Sequence, residues 1–411
     1  MKKIFKIISV LLALTFFTSS IVLGDYSDVD KENPTPESVE NAEPVKEKQE
    51  SENAVVRFIE SFANDISAAS SFKQTGENTY WKELSGQFVN EPILEPDPDY
   101  VRYTVSDSYK LKSFTDEKSY VMYLLSPKGY AVYDEISGVA EEIMPGADDP
   151  FENITEGEFY YGGPMNFIVK SNGIYTLDNK ELSDLDILNI TAIERSTAES
   201  RSESKGIPDQ TIDTYIPTYQ YFTTMLNHRY GNNAGGESIQ VACEIMLGYY
   251  DYYVNDQYVP TGYHYYVHGI RYPGTKNEDI DDGVPTFLSH LKTFLGSDNI
   301  YLAAAQTGLQ SYFASKFFTT PSVGLLVGAS TVKTRVVTNV SNDVPTVISM
   351  SSSVNPSCPY NTTVVAYGTR EVFVSGVNDG SYYFVHKGTK STGSDLGSFS
   401  CDWFFGGLYI Y

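Results

Sequence analysis

The sequence predicts an α+β fold, and three observations carry that expectation. Apolar residues at helical spacing open the C-terminal half, with Ala242, Ile245, Met246 and Tyr249 on one face. Short β-prone runs such as 344–350, 363–367 and 382–386 close it. A separate strand-rich stretch, punctuated by turn residues, lies upstream over residues 100–177. Helices first and an antiparallel sheet afterwards is the segregated pattern of an α+β domain.

The N-terminus reads as an export signal. Lys2, Lys3 and Lys6 precede an apolar run over 7–17, broken only by Ser9 and Thr15. That run falls short of the roughly 20 apolar residues that span a bilayer. Val22 and Gly24 suit the positions before a signal-peptidase cut, so residues 1–24 are a predicted signal peptide and the mature chain begins at Asp25. No Cys follows the apolar run, and no second long apolar run occurs. The expectation is a secreted product, extracellular or associated with the cell surface, with no integral membrane segment after cleavage.

Residues 25–54 are rich in Asp, Glu, Lys, Pro and Ser, and predict a disordered acidic linker. Residues 55–196 form the first predicted domain. It starts with an amphipathic helix on which Val55, Phe58, Ile59, Phe62 and Ile66 share a face. The runs 120–125 and 130–134 flank the turn Ser126-Pro127-Lys128-Gly129 as a hairpin, and 139–143 extends the meander. Residues 160–164 are a turn with aromatic anchors. The stretch 197–209 is polar and predicts a second linker. Within the final domain, 210–411, helices are expected over 239–253, 284–295 and 308–318. Strands are expected over 344–350, 363–367, 371–377, 382–386 and 408–411.

Composition excludes several partners. The formal net charge is −24, from 29 basic and 53 acidic residues, which disfavours nucleic acid and anionic lipid surfaces. Three cysteines, Cys243, Cys358 and Cys401, are too few for a disulfide scaffold, and the pairing of any one bridge stays open. No CxxC or HExxH pattern appears, so no cofactor and no metal are expected. His264 and His268 stand four apart, but Pro260, Gly262 and Gly269 point to a loop rather than a metal-binding helix. The acidic run 277–283 lacks the spaced ligands of a calcium loop and reads as a solvated turn.

A helix N-terminus offers free N–H groups that lower a thiol's pKa, and a following sheet can supply a histidine base. The helix 239–253 ends in Tyr249-Tyr250-Asp251. Val364-Val365-Ala366-Tyr367-Gly368 is later followed by Tyr382-Tyr383-Phe384-Val385-His386-Lys387-Gly388. These motifs, in this order, resemble the nucleophile helix and base-bearing hairpin of bacterial secreted papain-like (C39-like) cysteine peptidases. Residues 130–164 resemble the strand-rich region that often precedes them. The resemblance covers residues 100–411. It implies a papain-like fold preceded by a small propeptide-like domain.

Mapped through this resemblance, the catalytic positions are substituted. The nucleophile position holds Ser238 and the base position Thr362. The Gly after the nucleophile is Ile239, and an oxyanion-supporting residue falls at Asn232. Ser238 also reads as the N-cap of its helix. Cys243 and His386 are the remaining candidates for nucleophile and base. Cys243 lies inside the helix as a small apolar group, and His386 lies off the base position. The expectation is therefore a pseudopeptidase that binds peptide or protein in a degenerate cleft. The alternatives are an active peptidase or amidase with an atypical nucleophile, and a structural cell-surface component. Ligand identity, oligomeric state and removal of the N-terminal domain stay open.

Overall fold

The computed structural model describes residues 43–84, 87–177, 179–199, 210–225, 238–267, 270–273, 286–297, 300–317, 320–350, 362–375, 377–388 and 396–411. The chain divides into two units, residues 1–48 and 49–411. Among the described residues no helix is long and apolar enough to cross a membrane.

Helix α1 (Glu43–Ser70) opens the described chain. It begins inside the segment expected to lack structure, because Glu, Lys, Gln and Ala are good helix formers even where no apolar stripe marks them. Its stripe is the expected one: Ile59, Phe62, Ala63 and Ile66 are buried. The hairpin of β1 (Phe72–Leu84) and β2 (Gln87–Pro96) follows. Next comes an antiparallel meander of β3 (Thr104–Leu111), β4 (Tyr120–Ser126), β5 (Gly129–Asp134) and β6 (Val139–Pro145). Strands β7 (Glu158–Tyr161), β8 (Phe167–Lys170) and β9 (Ile174–Thr176) form a small separate sheet.

Helix α2 (Asp184–Glu199) runs into the segment expected to be a polar linker. Its N-terminus is capped reciprocally: Ser183 Oγ accepts from Asp186 N, and Asp186 Oδ2 accepts from Ser183 N. Ile190, Glu194 and Thr197 point inward, so two of its three buried positions are polar and its stripe is invisible to hydropathy.

The C-terminal segment supplies β10 (Gln210–Tyr215), α3 (Ser238–Tyr253), the β11 (His264–Val267) and β12 (Ile270–Pro273) pair, α4 (Phe287–Leu295) and α5 (Leu302–Ala314). Strand β13 (Val323–Val327), α6 (Ala329–Val340) and strands β14 (Thr346–Ser349), β15 (Thr363–Val374), β16 (Val377–His386), β17 (Leu396–Ser400) and β18 (Gly406–Ile410) complete it. The segments expected as strands 363–367 and 371–377 are joined: β15 runs through 368–370 with bulges beside Gly368 and Val372. Mixed helices and large antiparallel sheets make the α+β class plain.

One antiparallel sheet runs β13-β18-β14-β15-β16-β17-β6-β5-β4-β3, with β10 on the far half of β15. The two sequence segments meet where β17 pairs with β6, through Ser398 opposite Ile143 and Phe399 opposite Glu142. Behind this seam, Glu141 accepts from Lys118 Nζ at 3.0 Å and from the Trp403 indole N–H at 2.8 Å. Lys118 also pairs with Asp134 at 3.2 Å, with both side chains fully buried.

Candidate functional site

Helix α3 is buried along its whole length. It seats on the sheet at Gly388, which has φ +65°; a Cβ there would lie 2.6 Å from Val241 Cγ1 and 2.7 Å from Ile245 Cδ1. Gly388 follows His386, which sits opposite Val365 on β15. One turn beyond Ile245, Tyr249 stacks on Phe222, and Phe222 stacks on Tyr367. Helix and strand therefore advance in the same sense, which carries Ser238 and Thr362 toward the same end of the pair.

Ser238 is the first residue of α3 and is buried. Thr362 stands at the entry to β15, and its carbonyl accepts from Met350 N at 3.1 Å. Its hydroxyl is engaged from the N-terminal segment. Thr362 Oγ1 donates to Pro164 O at 3.1 Å and accepts from Asn166 Nδ2 at 3.2 Å. Asn166 Nδ2 also lies 2.9 Å from Pro164 O. The loop 162–166 is held tightly. Gly162 N and Asn166 N bond across it, to Asn166 O and Gly163 O. Gly163 adopts φ +110°, where a Cβ would lie 2.6 Å from Met350 Cε and 2.9 Å from the Trp403 ring. Met165, at φ 61°, donates its N–H to Glu142 Oε2 at 2.7 Å, and Tyr161 OH donates to the same oxygen at 2.9 Å. Burial raises the Glu142 carboxyl to about 7, against the pull of these hydrogen bonds and of Lys387.

The other candidates are buried, each in a different setting. Cys243 is fully buried, and burial pushes its thiol up to about 12, so it stays protonated at neutral pH. His386 is buried; burial, and secondarily Lys387, lower it to about 3. Its Nδ1 accepts from Gly388 N at 3.1 Å, so it is a neutral ring fixing the turn under α3. Cys401 is likewise a buried free thiol, pushed upward by burial. His264 Nε2 lies 3.0 Å from Asp251 Oδ2, and Asp251 Oδ1 accepts from Val259 N at 2.7 Å. This pair ties the end of α3 to β11. Among the described residues no group of three His, Cys, Asp or Glu is placed to hold a metal ion. Asn232, His268, Cys358 and the acidic run 277–283 lie outside the described residues.

Two groups of functional character escaped the sequence reading. Glu244 sits on α3 with its carboxyl pushed well above the ordinary range by burial, near the Leu288 N–H at the start of α4 and Lys292. Asn166 and Pro164 contact Thr362 across a sequence gap that no local pattern bridges; the only hint was the turn chemistry of 160–164. Chemically, the end shared by Ser238 and Thr362 offers hydroxyl and amide hydrogen bonds, and among the described residues no ionisable base contacts Thr362.

No family model, no curated protein and no solved structure matches this chain.

Proposed function

We propose that the protein is a secreted, papain-like cysteine-peptidase homologue that has lost catalysis and binds peptide or protein in the remaining cleft. The motif order Tyr249-Tyr250-Asp251, Val364 to Gly368 and Tyr382 to Gly388 supports the ancestry. One observation carries the loss of catalysis: the base position is a threonine whose hydroxyl is already bonded to Pro164 and Asn166. A hydroxyl nucleophile needs a positioned base, and threonine provides none. On this reading the N-terminal strand unit is a retained propeptide-like element, whose loop 162–166 bonds to Thr362.

The test pairs hydrolysis with binding on the full secreted chain. A fluorescent peptide library should show saturable binding and no cleavage, and Ser238→Trp should abolish the binding by filling the helix end. Cleavage that disappears in Ser238→Ala or Cys243→Ala would establish the active-enzyme alternative instead. Absence of any peptide binding, with the fold intact, would leave a structural surface role.

A further inference from the structure

We propose that the cleft between α1 and the segment leading into β3 is a binding site for an oxyanionic ligand, one carrying phosphate or carboxylate groups. This concave site holds about 540 Å³, well within the range of small-ligand pockets. Arg57, Ser61, Tyr100, Arg102 and Thr104 line it. It lies on α1, apart from the Ser238 and Thr362 end of α3, and does not depend on the peptidase-like reading.

The charge pattern is what points to an anion. In a chain with 29 basic and 53 acidic residues, cations are scarce and carboxylates are abundant. The well-buried cations are consumed: Lys118 by Asp134 and Glu141, Arg370 by Asp213 and Asp65. Arg57 and Arg102 differ. Among the described residues neither guanidinium forms an ion pair or a hydrogen bond, yet both face one cleft. The two acids that share the lining are committed elsewhere. Glu60 Oε1 accepts from Val105 N at 2.8 Å, and Asp65 Oδ2 from Arg370 at 2.9 Å. Each carboxylate thus has one oxygen engaged by a structural donor, while the two exposed guanidiniums are free to engage a ligand. Guanidinium is the side chain best shaped for bidentate recognition of carboxylate or phosphate.

The walls are fixed before a ligand arrives. Asn64 clamps the entry to β3, donating to Tyr103 O at 2.9 Å while its Oδ1 accepts from Tyr103 N at 2.8 Å. Tyr100 OH donates to Asn64 O at 3.0 Å, which sets its ring along one side. Pre-organisation of this kind lowers the ordering cost of binding. Ser61 and Thr104 also line the cleft, and a hydroxyl is a neutral hydrogen-bond donor.

Calorimetric titration of the full chain at low ionic strength tests this, with inorganic pyrophosphate in one arm and citrate in the other. At least one probe should bind with 1:1 stoichiometry and Kd below about 1 mM. The arm that binds distinguishes phosphate from carboxylate chemistry. Arg57→Gln and Arg102→Gln should each weaken it about tenfold or more. Arg335→Gln, whose guanidinium stacks on Tyr409 elsewhere, should leave binding unchanged. Thermal melts of the three variants would confirm that each is folded. Failure of both probes to bind saturably overturns the proposal. So does affinity that survives both cleft substitutions, or falls equally in Arg335→Gln. Peptide binding, or its absence, at the Ser238 end leaves the result untouched.

Discussion

Thr362 makes two hydrogen bonds with loop 162–166, and a histidine placed there must displace or re-use them. Asn166 Nδ2, 3.2 Å from Thr362 Oγ1, is the donor that an imidazole there would have to re-use. Ser238→Cys alone places a thiol at the start of α3, where the free N–H groups favour a thiolate, but leaves it without a partner. Thr362→His alone leaves a serine with no arranged nucleophile. The double substitution Ser238→Cys with Thr362→His should raise iodoacetamide labelling at position 238 about tenfold or more over Ser238→Cys alone near pH 7. Equal labelling of single and double variants would show that the two positions do not meet. Arg370 is a second residue with a sharp expectation. It is buried, bidentate to Asp213 at 2.6 Å, bonded to Asp65 at 2.9 Å, and 4.0 Å from the Phe62 ring centroid. Arg370→Ala should cost about 2–3 kcal/mol; it stays at or below the low end for broken buried pairs because Asp65 and Asp213 keep water on one side. Arg370→Lys keeps the charge but loses the fork and the stacking, and should cost about 1–2 kcal/mol. Urea midpoints at constant m-value check both.

Elements that advertise themselves by apolar period were legible in the sequence: α3 through Ala242, Ile245, Met246 and Tyr249, and the β4–β5 hairpin through its turn. Elements whose buried positions are polar were not. Glu194 of α2 is buried and accepts from Ser113 Oγ and Phe114 N, so its partners lie eighty residues away and no window of sequence records them. The same carboxyls set the pH response. Burial raises Glu142 to about 7 and Glu194 to about 8, so the folded chain keeps protons that the unfolded chain releases above about 4.5. Their contribution is complete below that pH and is lost progressively as pH rises from about 4.5 to the folded values of about 7 and 8. Each is worth up to about 3–5 kcal/mol, as an order of magnitude. His386, lowered to about 3, acts oppositely: stability is lost as pH falls from about 6.5 toward 3. Two carboxyls losing stability outweigh one histidine gaining it above about pH 4.5, so the melting temperature should peak near pH 4.5 to 5 and fall from there to pH 8. Glu142→Gln should flatten the alkaline limb, since an amide has no proton to release. A melting temperature that climbs steadily to pH 8 would rule out the buried protonated carboxyls. The seat of α3 gives a further element-scale test: Gly388→Ala forces a Cβ against Val241 and Ile245 at positive φ and should cost about 2–4 kcal/mol.

Across the whole molecule, the sequence divides at the polar stretch 197–209 while the sheet does not divide there at all. Many ties cross that stretch, the Thr362 bonds to loop 162–166 and the Arg370–Asp65 pair among them. Strand β17 pairs with β6 at Ser398 and Phe399. Trp403 donates its indole N–H to Glu141, which also holds Lys118. Phe62 of α1 packs edge-on against Tyr382 at 5.2 Å and Phe384 at 6.0 Å, beside the Arg370 clamp. None of these is local in sequence, so composition could suggest a boundary there but could not show that the surfaces on either side of it are each other's partners. A fragment covering 210–411 would expose the β17 edge, strand its Trp403 indole and uncover the Phe384 face. Unpaired sheet edges and large exposed aromatic surface favour association over folding. The fragment should therefore bind a hydrophobic dye, lack near-ultraviolet circular dichroism and unfold without a cooperative transition. Co-expression with residues 49–199 should restore a single cooperative melt, because that segment brings β6, Glu141 and α1 together. A fragment that melts cooperatively by itself would show instead that the seam is an accessory contact, and that the C-terminal strands carry a sufficient core of their own.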